Sequence, residues 1–149
     1  MTSGARDKEE KLLKLEEVFQ EVVRNISIRI FQHAEQVITH PQFFMLKKLA
    51  LGPVTVSEVA EYLGVSLSAI TSMADRLVKT GYVNRYRSQD DRRLVRLELT
   101  PAGSEALAAA INKRREVMHG TLGRLPEGDL AALHSIYTKL LGLIKENAD

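Results

Sequence analysis

Between Thr55 and Gly81 the sequence writes two short helices with a single residue, Val65, between the end of one and the cap of the next. Thr55-Val56-Ser57-Glu58 reads as a capping box, in which the Thr55 hydroxyl can accept from the Glu58 amide and the Glu58 carboxylate can reach back. Val59, Ala60 and Leu63 form the apolar face of the helix that follows. Gly64 stands where a left-handed residue closes a helix, and Ser66 is a good N-cap for the next one. That second helix runs to about Thr80, turns Ile70, Met73 or Ala74, and Leu77 inward, and ends at Gly81. Two short helices joined by so tight a glycine turn describe a helix-turn-helix.

After Gly81 the pattern changes. Tyr82-Val83-Asn84-Arg85-Tyr86-Arg87 is rich in strand formers, Ser88-Gln89-Asp90-Asp91-Arg92-Arg93 is a polar turn, and Leu94-Val95-Arg96-Leu97-Glu98-Leu99 alternates again, with Val95 out of strict order. The two runs predict a β-hairpin with a projecting loop. A lone hairpin is not stable in water, so this one must pack on helices.

The flanks are helical. Leu12, Leu15, Phe19, Val22, Ile26 and Ile30 recur at intervals of three and four, predicting a helix over residues 7–39 that stops before Pro41. A second helix starts at Pro41, carries Phe43, Phe44, Leu46 and Leu49, and ends at Gly52-Pro53. Thr100 caps a later helix with Pro101 in its first position. Its stripe is Leu107, Ile111, Met118, Leu122 and Leu125, and Pro126 breaks it. The last helix carries Leu130, Leu133, Tyr137, Leu140 and Ile144.

The expected fold class is mainly α with one small β-hairpin wing. A chain of 149 residues suits one domain. Within it, residues 42–100 form a winged helix-turn-helix lobe, and residues 7–39 and 101–147 supply long flanking helices. Both ends carry amphipathic stripes that need a cover. An intramolecular bundle would provide one; a homodimer would provide another, and would place two copies of the lobe for a two-fold site.

A helix that enters the major groove must present small polar residues, so that its backbone can approach the bases. Ser66, Ser68, Ala69, Thr71 and Ser72 do so, with Arg76 placed for a guanine or a phosphate and Lys79 for a phosphate. Residues 66–96 hold seven basic residues against three acids, an excess of four, while the whole chain carries only +2. The positive excess therefore lies where contact with nucleic acid is expected. Arg92 and Arg93 at the hairpin tip suit a narrow minor groove. Asp91 beside them is expected to orient an arginine through a charge-assisted hydrogen bond. Taken singly, a Ser/Thr-rich helix start is a capped surface helix and arginines on a hairpin are solvated edge protection. Taken in this order, they point to double-stranded DNA.

The run SEVAEYLGVSLSAITSMADRLVKTGYVNRYRSQDDRRLVRLELTPAG closely resembles the winged-helix core of the MarR (multiple antibiotic resistance regulator) family, above all in SAIT, DRL, GYV, DDRR and the closing LT. The flanking helices match in order and length, hardly in sequence. The resemblance implies an obligate homodimer with interleaved terminal helices, and recognition helices in successive major grooves of a pseudo-palindromic operator. It implies Arg92 as the wing-tip arginine, with Asp91 and Arg93 holding the wing in shape. It also implies control by a small aromatic or amphipathic effector between the dimer helices and the DNA-binding lobe. Phe31, His33, Phe43, Phe44 and Met45 could line such a pocket, though core packing explains them better.

The chain has no cysteine, which closes disulfide, zinc-thiolate and thiol-redox readings. The histidines, His33, His40, His119 and His134, form no i, i+4 pair, so no metal site is expected, and no cofactor. The N-terminal segment lacks a signal-peptide pattern, and no stretch approaches the roughly 18 apolar residues of a spanning helix. A cytoplasmic protein with no membrane partner is expected. An enzyme is disfavoured, because no Gly-rich phosphate loop or nucleophile elbow is present. The expected function is a sequence-specific DNA-binding regulator, a repressor released by a small molecule. The alternatives are a winged-helix module that binds protein and a regulator without a ligand.

Overall fold

The structure is a computed structural model that describes residues 3–32 and 38–147. Its helices are α1 (Ser3–Phe31), α2 (His40–Leu49), α3 (Val56–Leu63), α4 (Leu67–Lys79), α5 (Pro101–Leu122) and α6 (Glu127–Glu146). Its strands are β1 (Val54–Thr55), β2 (Val83–Arg87) and β3 (Val95–Leu99). The chain divides into two compact units, residues 33–113 and residues 1–32 with 114–149.

The 33–113 unit holds the packed core. Met45 and Leu46 from α2, Val59 from α3, Ile70, Ala74 and Leu77 from α4, Val83 from β2 and Leu97 from β3 are all buried. Leu107 of α5 closes the cluster. The inner face expected for α4 is therefore the observed one, with Met73 half-buried at its edge. The caps act locally, as their sequences dictate. Thr55 and Glu58 exchange both bonds of their box, at 3.2 Å and 2.6 Å. Gly64 closes α3 at φ 65°, where a side chain would be strained, and its N–H returns to the last turn. Ser66 Oγ accepts from the Ala69 amide at 3.2 Å.

Three expectations need correction. The first helix does not reach Thr39: α1 ends at Phe31, Gln32 lies in a turn, and residues 33–37 fall outside the described ones. Thr39 instead caps α2, its hydroxyl accepting from the Gln42 amide while the Gln42 side chain accepts from the Thr39 N–H. A capping box four residues long outweighed the proline as the local boundary signal. The strand content is not one hairpin. β1 adds to it, giving an antiparallel sheet of order β1-β3-β2, with Val54 opposite Leu97 and Thr55 opposite Arg96. Finally, α5 stops at Leu122 rather than Leu125, and Pro126 serves as the N-cap residue of α6.

The other unit, built from α1, the end of α5 and α6, has little interior of its own. Leu12 is 56% exposed, Leu15 63%, Phe19 50% and Ile144 65%, and α6 buries no residue. A trough of about 670 Å³ runs between α1 and the end of α5, floored by Val18, Val22 and Ile26. The polar face of α1 carries local ion pairs, Lys11 with Asp7 at 2.6 Å and Arg24 with Glu21 at 2.7 Å. Such exposed pairs contribute little each, so they do not explain how the unit is held together.

Candidate nucleic-acid interface

The site follows from how α4 sits on the core. Once Ile70, Ala74 and Leu77 are committed inward, the helical period leaves Ser68, Ser72, Asp75, Arg76 and Lys79 in the middle of the outward arc, with Ala69 and Thr71 at its edges. All seven are exposed, as is Ser66 at the start of the helix. Ser66 Oγ and Ser68 Oγ lie 3.1 Å apart, so the helix opens on a linked pair of hydroxyls. Arg76 and Lys79 fall in the last turn, where a cation also complements the helix dipole.

The wing is shaped by its own backbone. β2 and β3 pair from Val83–Leu99 to Arg87–Val95, and the Ser88 amide donates to the Leu94 carbonyl at 2.9 Å where the strands part. Ser88 is almost wholly buried there, a polar residue that the sequence offers only as part of a turn. The Leu94 amide donates to the Asp91 carbonyl at 3.0 Å. The Asp91 carboxylate accepts from the Arg93 backbone amide at 3.0 Å, not from a guanidinium. Its short side chain reaches the chain two residues on, as Asp does in turns. Arg87 Nη1 donates to the Arg92 carbonyl at 3.3 Å, bracing the loop from below. Arg92 and Arg93 remain exposed at the tip.

One contact joins the helix to the wing. Arg85 Nη1 donates to the Asp75 carboxylate at 2.7 Å, with the arginine about one-third exposed. The two residues lie on different elements, α4 and β2, so no single helical or strand period relates them, and sequence reasoning counted both charges and missed their union. Thr71, Arg85 and Arg93 also come together along one open cleft with Ser57, at the start of α3. The proposed pocket aromatics divide differently. Phe43 and Met45 belong to the core, and Phe44 packs edge-on against Phe43 and His40, at centroid distances of 5.4 Å and 4.9 Å. Phe31 ends α1 in the other unit, and His33 lies outside the described residues.

The cap at the head of α3 also sets one ionisation. The Thr55 backbone N–H, then the Thr55 side chain, hold the Glu58 carboxyl below its ordinary value of 4.5, with smaller help from Arg96 and Lys48.

A short helix that offers hydroxyls and a methyl outward can approach base edges closely, and a hairpin with arginines at its end can reach the neighbouring backbone. Those are the two demands on a winged helix-turn-helix DNA-binding protein, and this lobe meets both. Residues 38–95 match the family model described as MarR family. The chain is 31% identical over 127 residues to YpoP, an HTH-type transcriptional regulator of Bacillus subtilis (strain 168), across 85% of this chain and 90% of that one. It is 32% identical over 129 residues to the HTH-type transcriptional repressor MdtR of the same organism, across 86% and 81%. Among solved structures, a MarR family protein from Bacillus stearothermophilus aligns with a TM-score of 0.77 at 25% identity, covering 92% of this chain and 97% of that one. The chain belongs to the MarR family and is a DNA-binding transcriptional regulator.

Proposed function

We propose that this regulator is a homodimeric repressor that reads a pseudo-palindromic operator with the outward arc of α4 and the arginine tip of the wing. The observation that carries the reading is the exposed arc itself: Ser68, Ser72, Arg76 and Lys79 face outward together on a helix whose opposite face is locked in the core. Ser66, Ser68, Ala69, Thr71 and Ser72 approach base edges, Arg76 takes a guanine or a phosphate, Lys79 a phosphate, and Arg92 and Arg93 the adjoining minor groove. Asp91 keeps the wing loop in shape through the Arg93 amide.

Dimerisation is supported by the apolar stripes of α1 and α6, which a single chain leaves open to water. A second chain would cover them and space two recognition helices by about one turn of DNA. Repression is supported by the likeness to MdtR, and release by a small aromatic or amphipathic effector by the resemblance of the core sequence. No helix among the described residues is long and apolar enough to cross a membrane, in keeping with a place in the cytoplasm beside the DNA.

The test is a fluorescence-anisotropy titration at fixed moderate salt, using duplexes that tile the regulator's own upstream region and a shuffled duplex. One tile should bind about 10³-fold or more tighter than the shuffled sequence. Uniform weak binding to every duplex, with no preferred site elsewhere in the genome, would refute sequence reading.

A further inference from the structure

The helix α4 ends in a closed turn. The Gly81 amide donates to the Val78 carbonyl at 3.0 Å and the Tyr82 amide to the Leu77 carbonyl at 2.9 Å, with Gly81 in the left-handed region at φ 79°. Thr80 Oγ1 also donates to the Leu77 carbonyl, at 3.0 Å. The next two carbonyls, those of Gly81 and Tyr82, are both taken by one residue from the far end of the wing. Thr100 Oγ1 donates to the Gly81 carbonyl at 2.6 Å, and the Thr100 amide donates to the Tyr82 carbonyl at 3.1 Å. The same Oγ1 accepts from the Gly103 amide at 2.9 Å, so a single hydroxyl caps α5 and ties its start to the end of α4. Gly103 lies so close to the Tyr82 carbonyl that a Cβ there would fall 2.1 Å from the oxygen. Leu107, one turn further along α5, is buried in the core of the lobe. The start of α5 is thus held against the end of α4 from both strands of the wing, and α5 continues from there to Leu122.

We infer that Thr100 is a positioning residue for operator recognition: its hydroxyl tie fixes the angle between α4 and α5, and so sets the distance between half-sites that the dimer accepts. The inference rests on the homodimer proposed above, and extends it from the residues that meet DNA to the residue that holds them in register. In a dimer joined through its flanking helices, α5 connects each lobe to the join. Moving one half-site by a base pair shifts it about 3.4 Å along the duplex and turns it by about 35°. A lobe hinged loosely on α5 could follow that displacement. A lobe tied to α5 cannot, so the duplex must distort instead, at a cost in affinity. Threonine suits the task because its hydroxyl donates and accepts at once, and its branched Cβ restricts χ1. The Gly81 and Tyr82 carbonyls suit it as anchors because the closed turn already fixes them to α4.

The test titrates three variants against operators whose half-sites stand at the native distance or one base pair closer or further apart, and against a duplex with a single half-site. Thr100→Ser keeps both hydroxyl bonds, Thr100→Asp caps α5 but can only accept, and Thr100→Val keeps the shape with neither bond. The parent protein should lose about tenfold or more for a shift of one base pair. Thr100→Asp and Thr100→Val lose one tie in each lobe, and should bind the native operator about tenfold more weakly. Both should bind the single half-site as the parent does, which a merely structural defect would not allow. Their preference for the native spacing should shrink to about threefold or less, while Thr100→Ser keeps the parental values. Circular dichroism of Thr100→Asp should match that of the parent, since aspartate caps a helix at least as well as threonine. A parental spacing preference in Thr100→Asp and Thr100→Val overturns the inference. So does an equal loss on operator and single half-site in both, or a Thr100→Ser that behaves like Thr100→Asp. If the parent gains from a second half-site but tolerates any spacing, the tie fails and the dimer stands. If it gains nothing from a second half-site, the homodimeric operator reading fails first.

Discussion

Gly103 lies at the point where α5 leaves the sheet, and replacing it with alanine tests how tightly that joint is made. A Cβ built there falls 2.1 Å from the Tyr82 carbonyl oxygen and 2.8 Å from Leu99 Cδ1. Even a close C···O approach is about 3.3 Å, so one side must retreat by roughly 1 Å. The obstacle is backbone and is not free to yield. The same Tyr82 oxygen accepts from the Thr100 amide at 3.1 Å, and Thr100 Oγ1 donates to the Gly81 carbonyl at 2.6 Å. Overpacking costs about 1–3 kcal/mol, and loosening one of these hydrogen bonds costs about 1 kcal/mol more. Alanine recovers up to about 1 kcal/mol through its better helix propensity. The expected net loss is about 2 kcal/mol, which with an m-value of about 2 kcal/mol/M moves the urea midpoint down by about 1 M. The assay is urea unfolding followed by circular dichroism at one fixed protein concentration, because an associating chain makes the midpoint concentration-dependent. Gly128→Ala in the first turn of α6 is the control. A Cβ there meets nothing within 4 Å, so the variant should gain up to about 1 kcal/mol. A Gly103→Ala midpoint equal to or above that of the parent would refute the close joint.

Thr55→Ala removes the hydroxyl half of the α3 capping box and should cost about 1 kcal/mol in the same unfolding assay, with unchanged secondary structure at low denaturant. Because the Thr55 amide lowers the folded-state pKa of Glu58, its stabilising contribution is present above the ordinary value of 4.5 and is lost as pH falls through the lowered folded value. A carboxyl-carbon NMR titration should therefore place the Glu58 midpoint below that of an unstructured glutamate; a midpoint at or above it would contradict the cap. Arg92→Ala should weaken operator binding most where the flanking minor groove is A·T-rich and narrow, and unchanged affinity would remove the wing tip from the interface. Arg76→Ala should cost more on operator than on shuffled duplex if the arginine reads a base, whereas equal loss would make it a phosphate contact.

Much of the DNA-binding lobe could be read before any coordinates. The Thr55–Glu58 box, the Gly64 closure, the Ser66 cap and the Thr100-Pro101 start all depend on groups within about four residues of each other, so the local sequence contains both partners. The outward arc of α4 was legible for a related reason: a helix has one period, and naming Ile70, Met73 or Ala74, and Leu77 as the inner face names the outer face too, the structure choosing Ala74. Where two local signals competed, the reading failed. Around Thr39 the long apolar period of the first helix masked a cap for the second.

Tertiary structure decided the rest, because those partners are far apart in sequence and meet only when the core packs. Val54 finds Leu97 across more than forty residues, turning a lead-in to a helix into a strand. Asp75 finds Arg85 because α4 and the wing rest on the same buried side chains, converting two counted charges into one brace. Gly103 meets Tyr82 for the same reason, and its lack of a side chain has meaning only at that crossing. The cleft that joins Ser57 to Arg85 and Arg93 likewise takes its form from three elements at once. Periods and caps are short-range properties of the chain, whereas strand partners, charge partners and clefts belong to the packed arrangement of the lobe.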